Sequence, residues 1–238
     1  MKVLLFVAIA FAMLACNNAA TEVNANPVQV AENLQQQNYA MLAAAKQLIK
    51  EGDLIVRGGK DFSSRFVKEI NKLDKNYSHG GIAVIKNGEV YIYHIIPDHS
   101  KQNDRVRLEK LDSFCTQFDN TDFAIARFAM DSTETKQFIS YLDAQYTSKV
   151  PFDMVFDLAD DKAMYCSEMI AKGLALSTKK RIEIPLDTLN DKSKYKLIKM
   201  YYKVPEERFA NMLVIPIDHL FMNKHCTVIK RYSYLQQP

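Results

Sequence analysis

The stretch His79–Ile96, HGGIAVIKNGEVYIYHII, decides the fold. Two runs rich in β-branched and aromatic residues flank Asn87-Gly88, a pair that favours a type I′ turn because both residues tolerate positive φ. The spacing predicts a hairpin in which Lys86 faces Glu89, Ala83 faces Ile92 and Gly81 faces His94. Opposed residues, and residues two apart on one strand, share a face of the sheet. His79, Gly81 and His94 therefore share one face, with the histidines as diagonal neighbours. Such diagonals have Cα atoms roughly 7–8 Å apart, close enough for two rings to meet. Gly81 leaves the space between them open, and a slip of one residue would destroy the arrangement.

Working outward, residues 29–50 read as a helix without Gly or Pro. "GDLIVRGG" gives a short strand over 53–57, and "FSSRFVKEINKL" a helix with Phe62, Phe66, Ile70 and Leu73 on one side. After the hairpin, "DFAIARFAM" reads as a strand. In the helix that follows, Asp131 and Glu134 have capping-box spacing. "YCSEMIAKGLAL" is a further helix and "CTVIKRYSYL" a last strand, while the charged segment beyond Pro185 has no clear pattern. This order predicts an α+β fold with a mainly antiparallel sheet packed against helices.

The 238 residues are 48% hydrophobic and 25% charged, which suits one globular domain over 29–238. The net charge of +3 is small and the basic residues are scattered, so no nucleic acid partner is expected. Residues 1–16 have the layout of an export signal: Lys2, an apolar run from Val3 to Leu14, then Ala15 and Cys16. The ending Leu14-Ala15-Cys16 resembles a bacterial lipoprotein signal, which would lipidate Cys16 and anchor the chain to a membrane. Ordinary cleavage after Ala19 or Ala20 is the alternative, leaving a periplasmic or secreted protein. Residues 17–28 read as a flexible tether. Of the remaining cysteines, Cys115 and Cys226 are free to pair, and the odd count points to one unpaired thiol.

The hairpin's two imidazoles need a third group to be a catalytic site. One ring can remove a proton from a thiol while the other fixes its orientation. Cys166 is the best thiol, because a helix N-terminus favours thiolate; Glu168 nearby would oppose it. The helix face through Ile170 and Gly173 or Leu174 would pack on the sheet and turn the sulfur toward the histidines. Taken singly, a cysteine at a helix start is more often a small core residue, and a strand histidine merely hydrogen-bonded. A metal site of His94, His99 and Asp98 is disfavoured by Pro97 and by the lack of any zinc-type spacing. No metal and no cofactor is expected.

"GDLIVR", "YSHGGIAV", "YIYH" and "PFDMVFDLADDKAMYCSEMI", in this order from about Gly52 to Leu174, resemble the YiiX-like branch of the NlpC/P60 superfamily, with weaker similarity around "VIPIDHLF". These are circularly permuted, papain-like cysteine hydrolases. The resemblance implies Cys166 as nucleophile, His79 as general base and a third polar residue on the next strand. Glu is frequent at that place, whereas this chain has His94, and a neutral His stabilises the His79 cation less than a carboxylate would. The resemblance also implies an oxyanion or substrate contact for Tyr165, with a packing role equally open, and Asp53 is either a structural turn or a site residue. Tyr77 and Ser78 are candidates to line the cleft.

The expectation is a cell-envelope thiol hydrolase that cleaves an amide bond in a peptide or cell-wall peptide through an acyl-enzyme. Lipid or N-acyl chemistry is the alternative, and a catalytically silent binding module the rival from another class. Residues 175–215, outside the matched core, are expected to shape specificity.

Overall fold

The computed structural model describes residues 26–97, 104–189, 191–202, 204–209 and 211–236. The expected export signal, Cys16 and most of the tether lie outside the described residues, as do Asp98 and His99. No helix among the described residues is long and apolar enough to cross a membrane.

The first helix, α1, spans Pro27–Lys46, starting two residues and ending four residues before the expected 29–50. Asn26 caps it through its side chain, and Pro27 occupies a first-turn position where a missing N–H costs nothing. The strands β1 (Leu54–Gly59), β2 (His79–Lys86), β3 (Glu89–His94), β4 (Arg107–Lys110), β5 (Asn120–Phe128) and β8 (Cys226–Ser233) form one antiparallel sheet. Their order is β4-β3-β2-β1-β5-β8. The hairpin pairs Lys86 with Glu89 and Ala83 with Ile92, the expected register. Asn87 and Gly88 both take positive φ, 53° and 79°, as a type I′ turn requires.

Alternation along these strands separates two apolar layers. Leu54, Val56, Ile82, Val84 and Tyr93 point to one face, where α2 (Phe62–Ile70), α4 (Ser132–Thr147) and α5 (Cys166–Ser177) pack. Ile55, Ala83 and Ile92 point to the other, covered by α1 through Leu42 and Ala45 and by the short α3 (Leu111–Phe114). The capping box expected at Asp131 and Glu134 is formed: Asp131 Oδ1 accepts from Glu134 N, and Glu134 Oε2 accepts from Asp131 N. Of the face expected on α2, Phe66 and Ile70 are buried, but Leu73 lies beyond the helix and is exposed.

The segment after Pro185 is ordered in short pieces: β6 (Asp187–Leu189) pairs with β7 (Met212–Val214), with α6 (Lys192–Tyr201) and α7 (Glu206–Phe209) between them. After β7 comes α8 (Ile217–Phe221). Asp218 on α8 accepts from the backbone N–H groups of Lys72 and Leu73, and Asn71 Oδ1 accepts from Ile217 N, so this segment is tied to the end of α2. The suggested Cys115–Cys226 disulfide is absent, and both are free thiols. Cys115 is buried with α1 and α3, whereas Cys226 packs against the opposite layer.

Candidate active site

Cys166 opens α5. Tyr165 precedes it in an extended conformation, and Glu168 Oε2 accepts from Tyr165 N at 3.2 Å. The helix packs on β2 over Gly80 through Ile170. An added Cβ at Gly80 would meet Leu54, Val56 and Ile170 at ordinary contact distances. Backbone N–H groups of Gly80, Ser167 and Cys166 itself surround the sulfur.

The expected route from the sulfur to the histidines needs correction. Alternation places His79 and His94 on the α1–α3 face, opposite to α5, because both share parity with Ala83 and Ile92. The helix therefore does not aim Cys166 at them across its own face of the sheet. Cys166 instead lies at the end of β2, beside Gly80, and it and His79 both line one cleft.

The diagonal histidine contact is present. His79 Nε2 and His94 Nδ1 are 3.0 Å apart, and both rings are buried. Gly81 is needed for this, since a Cβ there would lie 2.4 Å from Ile92 Cγ2 and 3.0 Å from His94 Cβ. Phe114 packs against both rings, with centroids 5.4 Å from His79 and 4.9 Å from His94. On β4, Glu109 Oε2 lies 3.3 Å from His94 Nε2, an off-line ion-pair contact rather than an aligned hydrogen bond. Arg57, paired with His79 in the β1–β2 register, lies over the Phe114 ring and donates to Asn120 Oδ1 at 2.7 Å.

Electrostatics favour neutral groups. Burial holds His79 well below the ordinary imidazole range, and Arg57, His94 and Arg107 add to that. Burial also lowers His94, against the opposing pull of Glu109. The Cys166 thiol is pushed up to about 11 by burial, which outweighs the N–H groups around the sulfur. Helix-terminus stabilisation of a resting thiolate was expected, and burial overrides it. Glu168, expected to oppose the thiolate, is turned to its own helix and pairs with Lys172 at 2.8 Å.

The cleft holds about 360 Å³. His79, Cys166, Ser78 and Arg57 line it, and much of the wall is apolar, including Val67, Ile95, Phe152, Phe156 and Tyr202. Phe156 sits at φ 55°, a costly conformation for an aromatic residue, and its ring packs on Tyr165 at 4.8 Å. The turn carrying it is held by Asp153, which accepts from Val155 N at 2.8 Å and from Asp157 N. Ile215 closes the far wall, with its N–H donating to Tyr165 Oη at 2.8 Å and its carbonyl accepting from Ser167 Oγ at 2.6 Å.

The other candidates fall on both sides of this boundary. Tyr165 and Ser78 line the cleft, and Ser78 Oγ accepts from Gly59 N at 3.0 Å. Asp53 does not line it. Its buried carboxylate takes two hydrogen bonds of 2.7 Å from Arg127 and one from Lys50 N, so the structural alternative describes it. Tyr77 is also outside the cleft, packed edge-on against Phe221 with its hydroxyl accepting from Arg231. Both miss the cleft because motif proximity does not encode side-chain direction. Sequence reasoning missed Arg57 and Glu109; alternation from Leu54 could have placed Arg57 beside His79. Among the described residues, no group of three or more His, Cys, Asp and Glu side chains is arranged to hold a metal ion.

Comparison with solved structures finds yiiX from Escherichia coli O157:H7, described there as a metalloprotein. It is similar at a TM-score of 0.59 and 16% identity, over 77% of this chain and 98% of that one, which shows a shared fold. No curated protein matches. The family profile described as "Permuted papain-like amidase enzyme, YaeF/YiiX, C92 family" matches residues 48–211, which include β1, the histidine hairpin and Cys166 but not the cleft residues Val214, Ile215, Pro216 and Ile217. The chain belongs to the permuted papain-like amidase family, YaeF/YiiX.

Proposed function

We propose that the protein is a cell-envelope cysteine amidase that cleaves a peptide-like amide through an acyl-enzyme on Cys166. The observation that carries this reading is the position of Cys166 and His79 in one cleft, with His79 backed by His94 at 3.0 Å. In the reaction, His79 takes the Cys166 proton as the sulfur attacks the amide carbonyl. Transfer is needed at that moment, because burial keeps the resting thiol protonated and His79 neutral. The backbone N–H groups at the start of α5 are suited to the developing oxygen anion. The Tyr165 hydroxyl accepts from Ile215 N, which leaves its own hydrogen to donate. His79 then returns the proton to the leaving amine, and water hydrolyses the thioester.

Peptides, including cell-wall peptides, are the leading substrates. The apolar cleft wall favours a second reading, an N-acyl or lipid amide whose chain lies against Phe152, Phe156 and Tyr202. Envelope location rests on the signal-like N-terminus and on lipidation of Cys16. The test is hydrolysis of cell-wall tetrapeptides and of an N-acyl amide panel by the protein and its Cys166→Ala variant. Turnover that survives in Cys166→Ala overturns the mechanism, and the substrate turned over decides between the two classes.

A further inference from the structure

We propose that Glu109 is a positioning residue for this reaction, fixing the proton on each histidine so that His79 meets the thiol with a bare ring nitrogen. The inference rests on Cys166 and His79 as the reacting pair and adds a fourth member behind them.

The contacts have a direction. An ionised Glu109 Oε2 has no hydrogen to give, so its 3.3 Å contact with His94, although off-line, electrostatically favours the tautomer that carries the hydrogen on His94 Nε2. The His94 contact in turn holds the Glu109 carboxyl below its ordinary range, which keeps it ionised. A neutral His94 with its hydrogen on Nε2 has a bare Nδ1. That nitrogen is the one 3.0 Å from His79 Nε2, so it accepts and His79 Nε2 donates. A neutral His79 with its hydrogen on Nε2 is bare at Nδ1, the one ring nitrogen not engaged by His94. The opposite polarity would put a hydrogen on His79 Nδ1 and leave it unable to act as a base.

Neighbouring charges make this choice of tautomer important. Arg57 from β1 and Arg107 from β4 both disfavour a proton charge on the histidine pair, and Glu109 is the acid that opposes them. His94 thereby gains a carboxylate one strand further out. Ile92 is the register partner of Glu109, and His94 that of Arg107. Glu109 thus reaches His94 diagonally across β3 and β4, as His94 reaches His79 across β2 and β3.

Nitrogen-15 NMR of the imidazoles reads the tautomers directly, and iodoacetamide alkylation of Cys166, followed by mass spectrometry, reads the consequence. In the wild-type protein both His94 and His79 are expected as Nε2–H tautomers. Glu109→Gln can donate as well as accept, so the Nδ1–H form of both rings should appear and alkylation at neutral pH should fall by about tenfold or more. Glu109 is partly exposed on an edge strand, so the variant should fold. His94 found with its proton on Nδ1 in the wild type overturns the proposal. So does Glu109→Gln with wild-type tautomers and alkylation rate. If His79→Ala slows alkylation while Glu109→Gln does not, the relay fails and the Cys166–His79 pair stands. If His79→Ala has no effect, both fail.

Discussion

Gly80 and Gly81 are adjacent on β2, point to opposite faces of the sheet, and should respond oppositely to alanine. Neither has positive φ, so space alone decides. At Gly81 a Cβ would sit 2.4 Å from Ile92 Cγ2, 2.8 Å from Tyr93 O and 3.0 Å from His94 Cβ. Carbon atoms rest at roughly 3.5–4.0 Å, so β2 and β3 must separate locally by about 1 Å. Over-packing of this kind costs about 1–3 kcal/mol. In a protein of this size that lowers Tm by about 2–4 °C for each kcal/mol. The same displacement moves His94 away from its 3.0 Å contact with His79, so Cys166 alkylation should slow as well. At Gly80 the nearest atoms lie at 3.5, 3.6 and 3.7 Å, which a methyl group accepts without strain. Removing a strand glycine also saves about 0.5–1 kcal/mol of chain entropy, so Gly80→Ala should be neutral or slightly stabilising. Thermal unfolding of the two variants beside the wild type is the assay. Equal stability of Gly80→Ala and Gly81→Ala would refute the assignment of faces on which the histidine geometry depends.

Glu168 gives a pH test. Burial raises its carboxyl from 4.5 to about 7, so the folded state holds a proton that the unfolded state has released. Stability should therefore fall as pH rises from about 4.5 to about 7, by on the order of 3 kcal/mol. Glu168→Gln should flatten that slope in urea titrations between pH 5 and pH 7, and an unchanged slope would contradict the argument. Asp53→Ala leaves the partly exposed Arg127 and Lys50 N without their acceptor, and losing hydrogen bonds to a charged group in this way costs about 1.5–3 kcal/mol. The surviving folded fraction should keep its Cys166 reactivity, because Asp53 does not line the cleft. Asp153→Ala should release the turn that holds Phe156 at φ 55°, read as faster amide exchange over 153–157, and unaltered exchange would argue against that role.

Much of this architecture was readable because local and global signals agree. Asn87-Gly88 specifies its turn and register by backbone sterics, and the register places His79 and His94 as diagonal neighbours without tertiary information. The helix at Cys166 and the capping box at Asp131 are likewise local. Glu109 was not readable: β4 has four residues, too few for alternation to stand out, and its partner is known only once β3 is placed. The second wall of the cleft was hidden for a related reason. Residues 187–221 form two strands of three residues and three helices, held by bonds such as Asp218 to the Lys72 and Leu73 backbone, which no periodicity announces. The resting state of Cys166 is not legible in the sequence, because a helix terminus is visible there and burial is not.

The central chemical claim is that Cys166 loses its proton to His79 when it attacks. The direct measurement is the rate of Cys166 alkylation by iodoacetamide against pH, in the wild type and in His79→Ala. Assistance from His79 predicts appreciable alkylation at neutral pH, well below the thiol's own value of about 11, and loss of that neutral-pH reactivity in His79→Ala. Superimposable profiles, both rising only at strongly alkaline pH, would contradict it.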